Sequence, residues 1–111
     1  MPGFRMTTTV ARVLRLFLDD PAVPRYGFDV MQMLELPSGT LYPILARLEN
    51  AGWIVGRREM IDPAEAGRPV RRMYLLTSEG AQEARYELAR LSAQLKPPPW
   101  RGAARPGQAP V

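Results

Sequence analysis

Two groups of residues in this chain have the chemistry to grip a polyanion. Ser38-Gly39-Thr40 brings two hydroxyls and an uncovered backbone to the head of an apolar-periodic segment, and Tyr42, Pro43, Ala46 and Arg47 fall off that segment's apolar stripe. Arg47 has the reach for a guanine edge or a phosphate, because a planar guanidinium can donate two parallel hydrogen bonds. The second group is Arg57, Arg58, Arg68, Arg71 and Arg72, gathered around one loop and partly offset by Glu59, Asp62 and Glu65. Gly67-Arg68-Pro69 sets an arginine at the end of that loop, where phosphates or a minor groove would meet it. Taken alone, each group is also compatible with a solvated charged surface.

Composition removes most other chemistry. The chain has 111 residues and a net charge of +4, with neither cysteine nor histidine. Disulfide scaffolds, zinc fingers, iron–sulfur clusters, His- or Cys-ligated haem and Ser-His or Cys nucleophiles are therefore excluded. A signal carried by a metal, by thiol redox or by a histidine pH switch is unexpected for the same reason. Paired carboxylates are the remaining route to catalysis. Asp19, Asp20, Asp62 and Glu65 occupy loops in turn-forming roles and form no convergent acid–base set. The expectation is no catalytic residue, no metal and no cofactor: not an enzyme. The chain has no apolar run of about 18 residues and no signal-like apolar segment, so a cytoplasmic protein without membrane contact is expected. A small Arg-rich domain points to an acidic partner, double-stranded DNA above all.

The elements that must position these groups follow from periodicity. After Thr7-Thr8-Thr9, any of which can cap a helix, Val10, Val13, Leu14, Phe17 and Leu18 keep the spacing of one buried helical face. Asp19-Asp20-Pro21 ends it. Tyr26–Leu34 predicts a second, short helix with Gly27, Val30, Met31 and Leu34 inward. A break at Glu35-Leu36-Pro37 leads to a third helix over 38–52, starting between Ser38 and Thr40, with Leu41, Ile44, Leu45 and Leu48 buried. Pro43 is expected in its first turn, where amides lack helical partners, and Gly52 as its left-handed stop. Trp53-Ile54-Val55 and the extended residues to Met60, a Gly/Pro loop over 62–69, and Val70–Leu76 predict a hairpin. A last helix begins at Thr77 or Ser78 and runs to about Leu95, with Ala81, Ala84, Leu88, Leu91 and Leu95 on one seam.

This order predicts a mainly α fold with a small β-hairpin: a winged helix-turn-helix domain over 7–77, with a C-terminal dimerisation helix over 78–96. The wing spans 57–72. The stretch 97–111 carries five prolines with basic and small residues and is expected to be a disordered tail. Leu88, Leu91 and Leu95 extend beyond what so small a domain can wrap, and Leu16 lies off the first helix's buried face. These four are expected in a homodimer interface, which would present two recognition helices to a two-fold site.

Several runs together resemble the PadR family of transcriptional regulators. They are Tyr26-Gly27, the run Ser38–Glu49 with its Gly-Thr-Leu-Tyr-Pro core, Ala51-Gly52-Trp53, Gly67-Arg68-Pro69, Arg72–Thr77 and Glu79-Gly80. The match runs in order from about Val10 to Leu95. The resemblance implies a dimeric repressor, in a family whose members commonly respond to small molecules such as phenolic acids or drugs. It implies that Tyr26, Ser38, Gly39, Thr40, Tyr42, Pro43 and Arg47 lie on the DNA side and that Arg68, Arg71 and Arg72 form the wing. The chain departs from the pattern in two places. Many relatives have Gly where Glu35 stands, and the last helix offers Tyr86 as its one aromatic, with Trp100 beyond it in the tail. The competing expectation is a winged-helix protein-interaction module without sequence-specific DNA binding.

Overall fold

Thr7 is the hydroxyl that caps the first helix in the computed structural model, which describes residues 5–95 and 97. Its Oγ1 accepts from the Val10 amide at 3.1 Å, and helix α1 then runs Thr8–Asp19. Val10, Ala11, Val13, Leu14 and Phe17 are buried, as the periodicity requires, while Leu16 and Leu18 are half-buried against the core.

Tyr26 does not begin the second helix. Arg25–Tyr26 form a short strand, β1, which pairs antiparallel with the strand that Tyr74 and Met73 occupy (Arg25↔Tyr74, Tyr26↔Met73). Helix α2 follows as Gly27–Leu34, with Gly27 and Val30 buried. Sequence periodicity could not show β1, because two residues carry no period and their pairing partner lies far along the chain.

α2 stops at Glu35, whose φ of 54° is left-handed. The Glu35 amide bonds Gln32 O at 3.2 Å and the Leu36 amide bonds Met31 O at 3.0 Å, so the ending is a tight helix cap. Such a cap favours glycine, and Glu35 adopts it with a side chain in place. Helix α3, Ser38–Asn50, starts at once, with Pro37 as N-cap. Leu41, Ile44, Leu45 and Leu48 are its buried stripe. Pro43 lies beyond the first turn, deeper than expected. It therefore deprives the exposed Gly39 carbonyl of its helical donor, a loss that water can make good. Gly52, at φ +80°, ends the helix as predicted.

Strands β2 (Ile54–Arg58) and β3 (Arg72–Leu76) pair antiparallel from Ile54↔Leu76 to Arg58↔Arg72. The hairpin is part of a three-stranded sheet in the order β1-β3-β2. The loop between β2 and β3 is not wholly irregular. Asp62 Oδ1 accepts from the Ala64 amide at 2.9 Å and caps a single turn, α4 (Pro63–Ala66), which Gly67 closes at φ 69°.

Thr77 then opens helix α5, Ser78–Leu95. Its hydroxyl accepts from the Gly80 amide at 2.9 Å and lies 2.8 Å from the Gly52 carbonyl oxygen. Gly80, Ala81 and Ala84 are buried, and α5 packs on α1. Ala81 and Ala84 join the same core as Phe17, Leu45 and Trp53, so 7–77 and the first half of α5 share one interior. Further along, Leu88 and Leu91 are half-buried and Leu95 is exposed. The winged helix-turn-helix plan is therefore present, mostly helical and with a small antiparallel sheet. Lys96 and the residues from Pro98 onward, which hold most of the predicted tail, lie outside the described residues.

Candidate nucleic-acid interface

The N-terminal half of α3 is open to solvent: Ser38, Gly39, Thr40, Tyr42, Pro43 and Arg47 are all exposed. Pro37 contributes no side-chain cap; its carbonyl takes the Thr40 and Leu41 amides, both at 3.0 Å, which leaves the Ser38 and Gly39 amides to whatever approaches that end. Exposed amides at a helix start favour an anion. Arg47 lies back along the helix, its Nε donating to Pro43 O at 3.4 Å, which leaves the rest of the guanidinium facing outward.

Tyr26-Gly27-Phe28 is where the parts of the site meet. At Gly27, a Cβ would stand 2.9 Å from the Tyr42 hydroxyl and 3.0 Å from its ring, so Tyr42 rests on the bare backbone at the start of α2. Phe28 carries the Arg71 guanidinium over its ring, 5.6 Å from the centroid. The Tyr26 hydroxyl contributes to stabilising the Glu59 carboxylate. The predicted residues Tyr26, Tyr42 and Arg71 are thus gathered by the same short stretch.

Two predicted wing arginines are already engaged by acids. Arg68 holds Glu59 with both arms, Nη1 to Oε1 at 2.7 Å and Nη2 to Oε2 at 2.9 Å. The Glu59 side chain is only 9% exposed, and the Arg71 amide also donates to its Oε1 at 3.2 Å. The Arg68 hydrogen bonds, supported by the Arg71 amide and opposed by partial burial, hold the Glu59 carboxyl down at about 2. Arg72 bridges to Glu49 Oε2 at 2.8 Å and lies 5.7 Å from the centroid of the Tyr74 ring. The same Glu49 oxygen accepts from the Gly56 amide at 3.3 Å, so one carboxylate ties the end of α3 to both wing strands. Burial raises the Tyr74 phenol above its ordinary value. Arg72 stays exposed all the same, as do Arg57, Arg58 and Arg71, and these last three make no ion pair among the described residues.

Some exposed residues escaped the sequence reasoning. Phe28 is 44% exposed and Met60, at the wing, is 95% exposed. Phe28's position off the Gly27/Val30/Leu34 stripe was the available signal; Met60 gave none. Among the described residues, no group of three or more His, Cys, Asp or Glu side chains is placed to hold a metal, and no helix is long and apolar enough to cross a membrane.

The model of the transcriptional regulator PadR-like family matches residues 17–86, a span that includes β1, α2, α3 and the whole wing. The chain belongs to the PadR-like family of transcriptional regulators. PadR-like and related solved structures share its fold. A transcriptional regulator homologue from Pyrococcus horikoshii superposes with a TM-score of 0.65 at 20% identity, covering 78% of this chain and 79% of that one. A PadR-like transcription factor from Bacteroides fragilis gives 0.64 at 24% identity, over 78% and 82%. AbfR, a Staphylococcus epidermidis protein, gives 0.64 at 27% identity in its overoxidized, DNA-bound form. That match covers 81% of this PadR-like chain and 60% of AbfR. No curated protein matches the sequence.

Proposed function

We propose that this PadR-like regulator is a dimeric repressor that binds a two-fold operator in double-stranded DNA. The observation that carries the reading is the bare N-terminal half of α3, together with a wing that has three exposed arginines outside its ion pairs. Ser38, Gly39, Thr40, Tyr42, Pro43 and Arg47 face the major groove, with Tyr26 supporting them from the sheet edge. Arg57, Arg58 and Arg71 reach phosphates or the minor groove. The DNA-bound structures of AbfR support a nucleic-acid partner for this fold.

Leu16, Leu88, Leu91 and Leu95 form the dimer face. Leu16 and Leu88 line an open groove of about 470 Å³ between α1 and α5, together with Ala11, Arg12, Arg15 and Leu34. That groove is the place for a small-molecule effector. The protein acts in the cytoplasm and is no enzyme.

Selection of bound fragments from a random duplex pool tests the proposal. An enriched, two-fold sequence is expected, with half-sites about 34–36 Å apart or a multiple of that, and with affinity that falls steeply as salt rises. Arg47→Ala is expected to lose about 1–3 kcal/mol of discrimination at one position of each half-site. Absence of any retarded duplex at low salt would instead favour a protein-interaction module.

A further inference from the structure

The wing needs a fixed shape if Arg71 is to stand in a fixed place. Its connection from β2 to β3 is long, and most of its residues are exposed. Two backbone hydrogen bonds hold α4 and Gly67 together locally, but neither reaches β2 or β3. Beyond the paired strands, the Glu59 amide donates to Arg71 O at 2.9 Å, and the Arg71 amide donates to the Glu59 carboxylate at 3.2 Å. Glu59 therefore holds Arg71 from both its backbone and its side chain. What holds the Glu59 carboxylate is Arg68, through two short parallel bonds. Arg68 is anchored in turn from its own side: its amide bonds Pro63 O at 3.3 Å and its Nη1 lies 3.3 Å from Pro69 O.

We propose that Arg68 is a positioning residue: it clasps Glu59, fixes the loop between β2 and β3, and so sets where Arg71 stands, without contacting nucleic acid itself. This rests on the DNA-binding reading of the wing. Charge alone makes Arg68 look like a phosphate contact, yet reaching a phosphate requires letting go of a carboxylate that is nine-tenths covered. An abandoned, covered carboxylate is costly. Bidentate pairing of this kind also gives geometric specificity, which is what a loop lacking other cross-links needs.

The two roles predict opposite signs at Glu59. If Arg68 is a clasp, Glu59→Ala loosens the wing, and binding falls even though a negative charge has been removed. If Arg68 is a phosphate contact, Glu59→Ala frees it and binding rises. The full chain is titrated against a fluorescent random-sequence duplex at low salt, and exchange of the Arg71 amide is followed by NMR in the free protein. Arg68→Ala and Glu59→Ala are each expected to speed that exchange by about tenfold or more, and both to weaken duplex binding. Tighter binding by Glu59→Ala, or an unchanged Arg71 amide in Arg68→Ala, overturns the clasp. A wild-type chain that retards no duplex overturns the DNA-binding reading instead, while the amide measurement still judges the clasp.

Discussion

The Tyr42 ring lies directly on the backbone of Gly27, so close that a methyl group on Gly27 would meet the phenol oxygen at 2.9 Å. α3 and α2 touch here through a residue that has no side chain and one that has a large one. The contact sets the angle at which Tyr42 leaves α3, with 39% of the residue still exposed.

Gly27→Ala is therefore expected to swing Tyr42 outward and leave the fold standing. The clash is with the far end of a side chain, and alanine is a better helix former than glycine by about 0.5–1 kcal/mol. Thermal denaturation should move little, while the Tyr42 ring resonances shift and affinity for a selected duplex drops towards its random-sequence value. A ring that stays put would show that the start of α2 yields instead.

Gly80 has no such latitude. A Cβ there would run into the backbone of Trp53, at its carbonyl carbon, oxygen and Cα. Backbone cannot rotate away as a side chain can, so Gly80→Ala should force α5 off the sheet. The expected loss is about 1–3 kcal/mol or more in urea denaturation.

Glu35 offers the reverse case. It adopts a left-handed φ of 54° that glycine takes without cost. Glu35→Gly should raise the denaturation midpoint, through a gain of about 1 kcal/mol in unfolding free energy. Greater unfolded-state freedom of glycine takes back part of the gain. A lowered midpoint would mean that the Glu35 side chain contributes more than its backbone strain costs.

Acid should act on the wing through Glu59. Its carboxyl is lowered in the folded state from 4.5 to about 2. The stabilisation is thus fully present above pH 4.5 and is lost as pH falls from there towards 2. Glu59→Gln should flatten the pH dependence of stability in that window, being less stable than the wild type at neutral pH and approaching it as pH falls towards 2. Matched denaturation curves for the two proteins over that window check it.

The proposed dimer has its own test. Leu91→Glu puts a charge into the half-buried part of the α5 seam, beyond the core that Ala81 and Ala84 serve. Light scattering should report monomers with an unchanged circular dichroism spectrum. A retained dimer would move the interface to α1.

What the sequence determined by itself is what depends on neighbours a few positions apart. The buried faces of α1 and α3, the stop at Gly52 and the order of helices and hairpin all follow from local periods and caps. The candidate surface of α3 followed too, since a residue off a helical stripe faces out. Tertiary structure alone decided the rest. β1 exists because β3 has an edge to offer, and neither its residues nor its length announce it. The wing arginines divide between Arg68 and Arg72, which are held by Glu59 and Glu49, and Arg57, Arg58 and Arg71, which make no ion pair among the described residues. All five carry the same charge and lie within one short stretch of sequence. Which of them meets a carboxylate depends on how the chain folds back, and a count of charges along the sequence holds no information about that.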